Sequence, residues 1–360
     1  MKTAKLLALA NAVFLSVFAV PAQTPPKFKE GFLQYAGLQA VSGREGRFIA
    51  FLKSQLPPGV KSEIDNMGNL TVQLGEGQPD LLLMTSVDEP GYLVTDITDE
   101  GFLRVASPGG RAPNALFAQF HEGHYVDIAG KSETIRGVVA LPSSHLVRGR
   151  RESLTLDRFL IEIGARSRAD AVARGIEMLQ PVTAAKDIAL LAENRIAGPM
   201  LSRKFGAFAL MEALKGHSPK SGKNVVFAWA AQSAMSNSGV ARLARRFTAK
   251  QVLTVGAFQR STAGGVKDPV EILDSGVLVP DAVSPGGASA LLGALMSALE
   301  AKVKITRSPA GTIAEARAFG TRTEILPIAI PVVFPGTLVE TIDLDDLQQL
   351  VALLKSVLEM

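Results

Sequence analysis

The chain has 360 residues, 47% of them hydrophobic, with a formal net charge of +4 and no cysteine. The absence of cysteine excludes disulfides and thiolate metal sites, and so small a net charge gives no strong attraction to nucleic acid or to an acidic membrane surface. The apolar fraction suffices for a large core, and the length favours two domains.

At the N-terminus, Lys2 and Lys5 precede an apolar stretch over residues 6–20 and the small-residue pattern Val20-Pro21-Ala22. This is the layout of a secretory signal peptide over residues 1–22. The stretch is shorter than the roughly 20 apolar residues a spanning helix needs, and no later segment reads as a stop-transfer. The expectation is export to the periplasm or beyond, with cleavage near Ala22 and no membrane span. Cleavage there would leave 338 residues and lower the formal charge to +2, since Lys2 and Lys5 are lost.

Beyond the leader, apolar residues three or four apart predict a helix over 46–56, and the apolar run 81–84 predicts a buried strand. Residues 93–186 differ in character. Short alternating segments at 92–95, 102–105, 125–128 and 135–139 are separated by Gly and Pro clusters such as Ser107-Pro108-Gly109-Gly110, a spacing that predicts a small β-domain. Strand and helix patterns then alternate again. Helices are predicted over 206–214, 238–247, 289–301 and 344–358, and strands over 225–231, 251–255 and 329–333. In the last helix Leu344, Leu347, Val351, Leu354 and Leu358 form one stripe, and Asp343 is placed to cap a first turn carrying Asp345 and Asp346. The alternation implies an α/β domain with a covered sheet over 30–92 and 187–360, interrupted by the β-rich insertion 93–186.

Several possible sites have simpler readings. The basic groups Arg148, Arg150, Arg151 and Arg245, Arg246 read as solvated loop and helix faces rather than binding patches. Trp229, the only tryptophan, sits within an apolar run and reads as core. No Gly-x-Ser-x-Gly elbow, Ser-x-x-Lys, P-loop or Gly-x-Gly-x-x-Gly occurs. His121 and His124 are three apart, but residues 120–128 read as a turn entering a strand, which turns the two rings opposite ways. The sequence His121-Glu122-Gly123-His124 is also too short for a zincin helix.

Five segments carry a family resemblance: Ser42-Gly43-Arg44-Glu45; Asp65-Asn66-Met67-Gly68-Asn69-Leu70; Val87-Asp88-Glu89-Pro90-Gly91-Tyr92-Leu93-Val94; Ile163-Gly164-Ala165-Arg166-Ser167; and Ile330-Pro331 followed by Val339-Glu340-Thr341-Ile342-Asp343-Leu344. In order and spacing, over about residues 32–358, they resemble the glutamyl aminopeptidase and tetrahedral aminopeptidase family of co-catalytic zinc metallopeptidases. The resemblance implies a three-layer α/β/α aminopeptidase domain with an inserted β-rich apical domain, and subunits that assemble into tetrahedral particles. It also implies two zinc or cobalt ions, held by imidazole and carboxylate, that turn a shared water into hydroxide while a glutamate acts as general base.

At the positions where the resemblance implies those ligands, this chain has other residues. Ser86 stands for the first histidine, Ser202 for the bridging aspartate, and Gly256 and Gly336 for a later aspartate and the last histidine. The paired glutamates, general base then ligand, fall on Ser233 and Ala234. The acid of a Gly-Thr-Asp-Ala element appears as Ile313. No Asp, Glu or His occurs over 196–211, 225–240 or 250–267, so a shifted alignment does not restore the set. Of the catalytic residues only Asp88 remains. It would orient the missing histidine, or it is a strand-end carboxylate held by backbone N–H groups.

The expectation is therefore an exported homologue of zinc aminopeptidases without metal-dependent hydrolysis and with no bound zinc or cobalt. It would act as a peptide-binding or assembly protein, as a homo-oligomer or in co-assembly with a paralogue. The alternative is an active metallo-aminopeptidase whose site is displaced onto Asp88, Glu89 and the histidines His121, His124 and His145.

Overall fold

The computed structural model describes residues 25–110, 117–131, 133–140, 156–191, 194–216, 223–258, 273–280, 293, 302–308, 313–319 and 323–359. The leader, His145, the arginines Arg148, Arg150 and Arg151, and nearly all of the predicted 289–301 helix lie outside these residues.

The apolar runs of the second half assemble with the first into a six-stranded sheet in the order β1 (Ser62–Ile64), β2 (Leu70–Leu74), β12 (Val225–Ala230), β3 (Leu81–Ser86), β13 (Gln251–Val255), β16 (Glu324–Ile328). The last four strands are parallel, and β1 and β2 close the other edge as antiparallel neighbours. Every residue of β3 and β12 is buried, as expected where both faces of a parallel sheet are covered. Successive side chains serve opposite layers. Leu83, Phe227, Trp229 and Leu253 pack into a core with α1 (Pro26–Ala36), α2 (Gly46–Ser54), α5 (Phe205–Lys215) and α7 (Leu344–Glu359). Leu82, Met84, Val226, Ala228 and Val252 pack on the other side against α6 (Ser238–Arg246). Trp229 is fully buried and donates its Nε1–H to the Ala207 carbonyl at 3.1 Å. The α7 stripe is buried as its spacing predicts, and Asp343 Oδ1 accepts the Asp345 N–H at 2.9 Å.

One predicted strand is displaced. The segment pairing β13 is Glu324–Ile328, not 329–333. Pro327 masks it in the sequence, yet β16 lies at the sheet edge, where a missing N–H faces away from the ladder. Ala329 and Val333 make only isolated bridges, to Leu278 and Thr341, on either side of Pro331.

Residues Tyr92–Ala184 hold a closed barrel in the order β4 (Tyr92–Ile97), β5 (Leu103–Ala106), β8 (Leu160–Glu162), β7 (Thr134–Val139), β6 (Tyr125–Ala129), β9 (Pro181–Ala184). Its interior is filled by Val94, Leu103, Val126, Ile128, Phe159, Ile161 and Val182, and closure leaves no sheet edge. The short helices α3 (Phe117–Phe120) and α4 (Arg168–Ala173) lie within this unit. Among the described residues two small sheets remain: β10 (Ala189–Leu190), β11 (Arg195–Gly198) and β17 (Glu340–Asp343) form one, and β14 (Val277–Pro280) pairs with β15 (Ile305–Ser308) in the other. No helix among the described residues is long and apolar enough to cross a membrane.

Candidate functional site

In an open α/β sheet, ligands gather at the carboxyl ends of the parallel strands, and the residues singled out above meet there. Ser86 ends β3, Ser233 and Ala234 follow β12, and Gly256 follows β13. Ser202 sits in the 3-10 turn Leu201–Arg203 that leads into α5. These positions line two adjoining cavities between the sheet and the barrel. One, of about 550 Å3, includes Ser42, Ser107, Ser233, Ala234 and Asn237. The other, of about 540 Å3, includes Ser86, Ser202, Gly256, Gly336 and Glu340. Pro90, Arg203 and Glu315 border both.

The motif residues build the floor of this cleft through hydrogen bonds to the backbone. Asp65 Oδ1 accepts the Met67 and Asn69 N–H groups at 2.9 and 3.0 Å, which the positive φ of Gly68 permits. Asn69, so fixed, accepts the Ala231 N–H at 2.9 Å and donates to the Gly239 carbonyl at 3.0 Å. Glu45 Oε1 accepts the Gln232 N–H at 2.8 Å. Asp88 takes the next two residues: its carboxylate accepts Ser233 N–H at 2.9 Å, Ser233 Oγ–H at 2.5 Å and Ala234 N–H at 2.8 Å. The loop after β12 is thereby held even though Gln232, Ser236 and Asn237 all lie in the left-handed region, which is costly for residues other than glycine. Asp88 thus accepts two backbone N–H groups and one hydroxyl beyond the end of β3.

Glu89 is wholly buried and ion-paired. Lys186 Nζ lies 2.5 Å from Oε2 and Lys204 Nζ 3.7 Å from Oε1, while Oε1 accepts the Ala40 N–H at 2.9 Å. Burial works to raise the Glu89 pKa, but the two ammonium groups outweigh it and hold the carboxyl below its ordinary range. Burial pushes Lys204 down to about 8, against the pull of Glu89, and its Nζ stands 4.3 Å above the centre of the Phe48 ring. Glu340 is equally buried and accepts from Ser202 N–H at 2.7 Å, Ser202 Oγ–H at 2.9 Å and Gly336 N–H at 2.6 Å. Burial raises its pKa over the opposing effect of those donors. Sequence reasoning missed Lys186, Lys204, Arg203, Glu315 and the part played by Glu340, because their partners lie far away along the chain.

Neither of the two described histidines, His121 and His124, joins this cluster; His145 lies outside the described residues. His121 is buried beside the rings of Tyr92 and Phe117 and donates its Nδ1–H to the Phe117 carbonyl at 2.9 Å. His124 is exposed and donates to the Glu122 carbonyl at 3.0 Å. Among the described residues no three His, Cys, Asp or Glu side chains stand together as a metal ion would require. Zinc and cobalt take imidazole, carboxylate or thiolate donors. Three serines, an alanine and two glycines at Ser86, Ser202, Ser233, Ala234, Gly256 and Gly336 do not fit such an ion.

A sheet of mixed strands between helical layers, a barrel inserted beside the carboxyl ends of its parallel strands, and a cleft where the two meet form the mixed α/β fold of the TET aminopeptidase structures. Residues 68–353 match the model of the M42 glutamyl aminopeptidase family, and the chain belongs to that family. Among curated proteins it is similar to SgcX of Escherichia coli (strain K12), 31% identical over 152 residues that cover 41% of this chain and 39% of SgcX. It is also similar to the lysyl aminopeptidase of Pyrococcus furiosus, 28% identical over 49% of this chain and 51% of that protein. The chain thus spans about half the length, or less, of the curated relatives it matches. Among solved structures, the TET1 peptidase of Pyrococcus horikoshii, described as assembling into a tetrahedron or a large octahedral shell, superposes with a TM-score of 0.78 at 26% identity, over 92% of this chain and 98% of its own.

Proposed function

We propose that this protein is an exported peptide-binding member of the family that does not carry out metal-dependent hydrolysis, and that it works as a homo-oligomer or in co-assembly with a paralogue. The supporting observation is the convergence of the six implied ligand and base positions on one cleft, where they present hydroxyls, a methyl group and bare backbone. Loss of even a supporting partner of one ligand typically costs about 10–100-fold in affinity or activity, and here the implied ligands themselves are replaced. The leader pattern supports export, and the assemblies described for the TET1 peptidase support an oligomer.

Family membership favours the other reading, an aminopeptidase that releases N-terminal residues through a displaced site. Elemental analysis of the mature protein, combined with an assay of N-terminal residue release in added zinc or cobalt, separates the two. The expected result is metal well below one ion per chain and no release. Stoichiometric metal with metal-dependent release would overturn the proposal.

A further inference from the structure

Within the cleft the carboxylates are engaged while hydrogen-bond donors are left over. Glu89 is met by two lysines and the Ala40 N–H, Glu340 by three donors, and Glu315 by Arg203, whose Nη1 lies 3.5 Å from Oε1. By contrast, the hydroxyls of Ser42, Ser86 and Ser107 are buried at the cavity walls with no hydrogen-bond partner among the described residues. Arg203 is the only basic side chain among the described lining residues of either cavity, and its ion pair uses one edge of a fork that offers five donors. The contact with Glu315 occupies one edge of the Arg203 guanidinium, and the remaining N–H donors are available to an anion at the cleft. A single cation suits a singly charged carboxylate better than a doubly charged phosphate. Beside Arg203 the second cavity is walled by Phe117, Phe120, Phe258 and Ile313, and its volume of about 540 Å3 lies in the range of small-ligand pockets.

We infer that the cleft binds peptides by their C-terminus. Arg203 holds the terminal carboxylate, and the apolar side chain of the last residue enters the Phe117, Phe120, Phe258 and Ile313 wall. This rests on the peptide-binding reading and reverses the end of the peptide that an aminopeptidase grips.

The test is calorimetric titration of the mature protein with Ala-Ala-Phe, its C-terminal amide and its N-acetyl derivative. The free acid and the N-acetyl acid should bind alike, and the amide about tenfold or more weakly, the loss expected for one charge-assisted contact. Arg203→Gln should bring the acid down to the level of the amide and leave amide binding unchanged. An amide that binds as tightly as the acid, or a loss on N-acetylation, overturns C-terminal recognition while peptide binding itself stands. Binding of none of the three overturns both readings. The comparison of acid with amide in the unmodified protein does not depend on how the Arg203 variant folds.

Discussion

The Asp88 carboxylate accepts hydrogen bonds from both the backbone N–H and the hydroxyl of Ser233, at 2.9 and 2.5 Å, and both residues are buried. With Ala234 N–H as third donor, Asp88 acts as the clasp of the segment after β12. Asp88→Asn puts an amide N–H2 where acceptors are needed, and the expected cost is about 1–3 kcal/mol in urea unfolding. Ser233→Ala removes only the hydroxyl contact and should cost about 1 kcal/mol. Equal stability of Asp88→Asn and the parent protein would refute the clasp.

Glu89 and Lys186 stand 97 positions apart in sequence and meet at 2.5 Å where the chain enters and leaves the barrel. Removing one partner strands the other in the interior, so Glu89→Gln should destabilise by about 3–5 kcal/mol. The double variant Glu89→Gln with Lys186→Met should cost less than the two single changes summed. A coupling energy near zero in that cycle would mean that the pair is not linked.

Burial among aromatic rings pushes the His121 pKa down to about 4, with His124 and Lys186 adding to the effect. Between there and the ordinary value of about 6.5, the unfolded chain binds a proton that the folded chain refuses. The His121 contribution to stability is therefore fully present above about pH 6.5 and is lost as the pH falls towards 4. Unfolding midpoints at pH 7 and pH 4.5 should converge in His121→Gln relative to the parent. An unchanged difference would place the acid sensitivity elsewhere.

Ser202 gives Glu340 both its N–H and its hydroxyl, at 2.7 and 2.9 Å. Ser202→Asp, which restores the acid implied for that position, sets a second carboxylate against one that burial already disfavours in its charged form. The expected outcome is a loss of about 1–3 kcal/mol and no zinc bound at stoichiometric concentration by equilibrium dialysis. Stable folding with bound zinc would show that Glu340 tolerates an acidic neighbour.

The layers of the fold were legible because β3 and β12 are buried on both faces and read as unbroken apolar runs, while α7 repeats its leucines at helical spacing. The helix α1 was not anticipated, and Pro327 hid β16 although an edge position accommodates it. Motif order located the cleft, and Ser86, Ser202, Gly256 and Gly336 do line one cavity. What local pattern cannot carry is pairing at a distance. Nothing around Lys204 indicates that it will stand over Phe48, and nothing around Glu340 indicates three donors. The same limit concealed Arg203, which in sequence is one more arginine at the start of a helix.

The barrel also bears on how the chain folds. Tyr92 on its first strand pairs with Val182 on its last, so once the barrel closes, its two ends lie a strand's width apart. A stretch of about 90 residues then constrains the rest of the chain much as a tight turn would, and β12 can find β3 without the loop-closure entropy of a long flexible connection. The barrel is expected to form first, with the parallel sheet following, and refolding monitored by hydrogen exchange should protect Val126 and Ile128 before Val226 and Leu253.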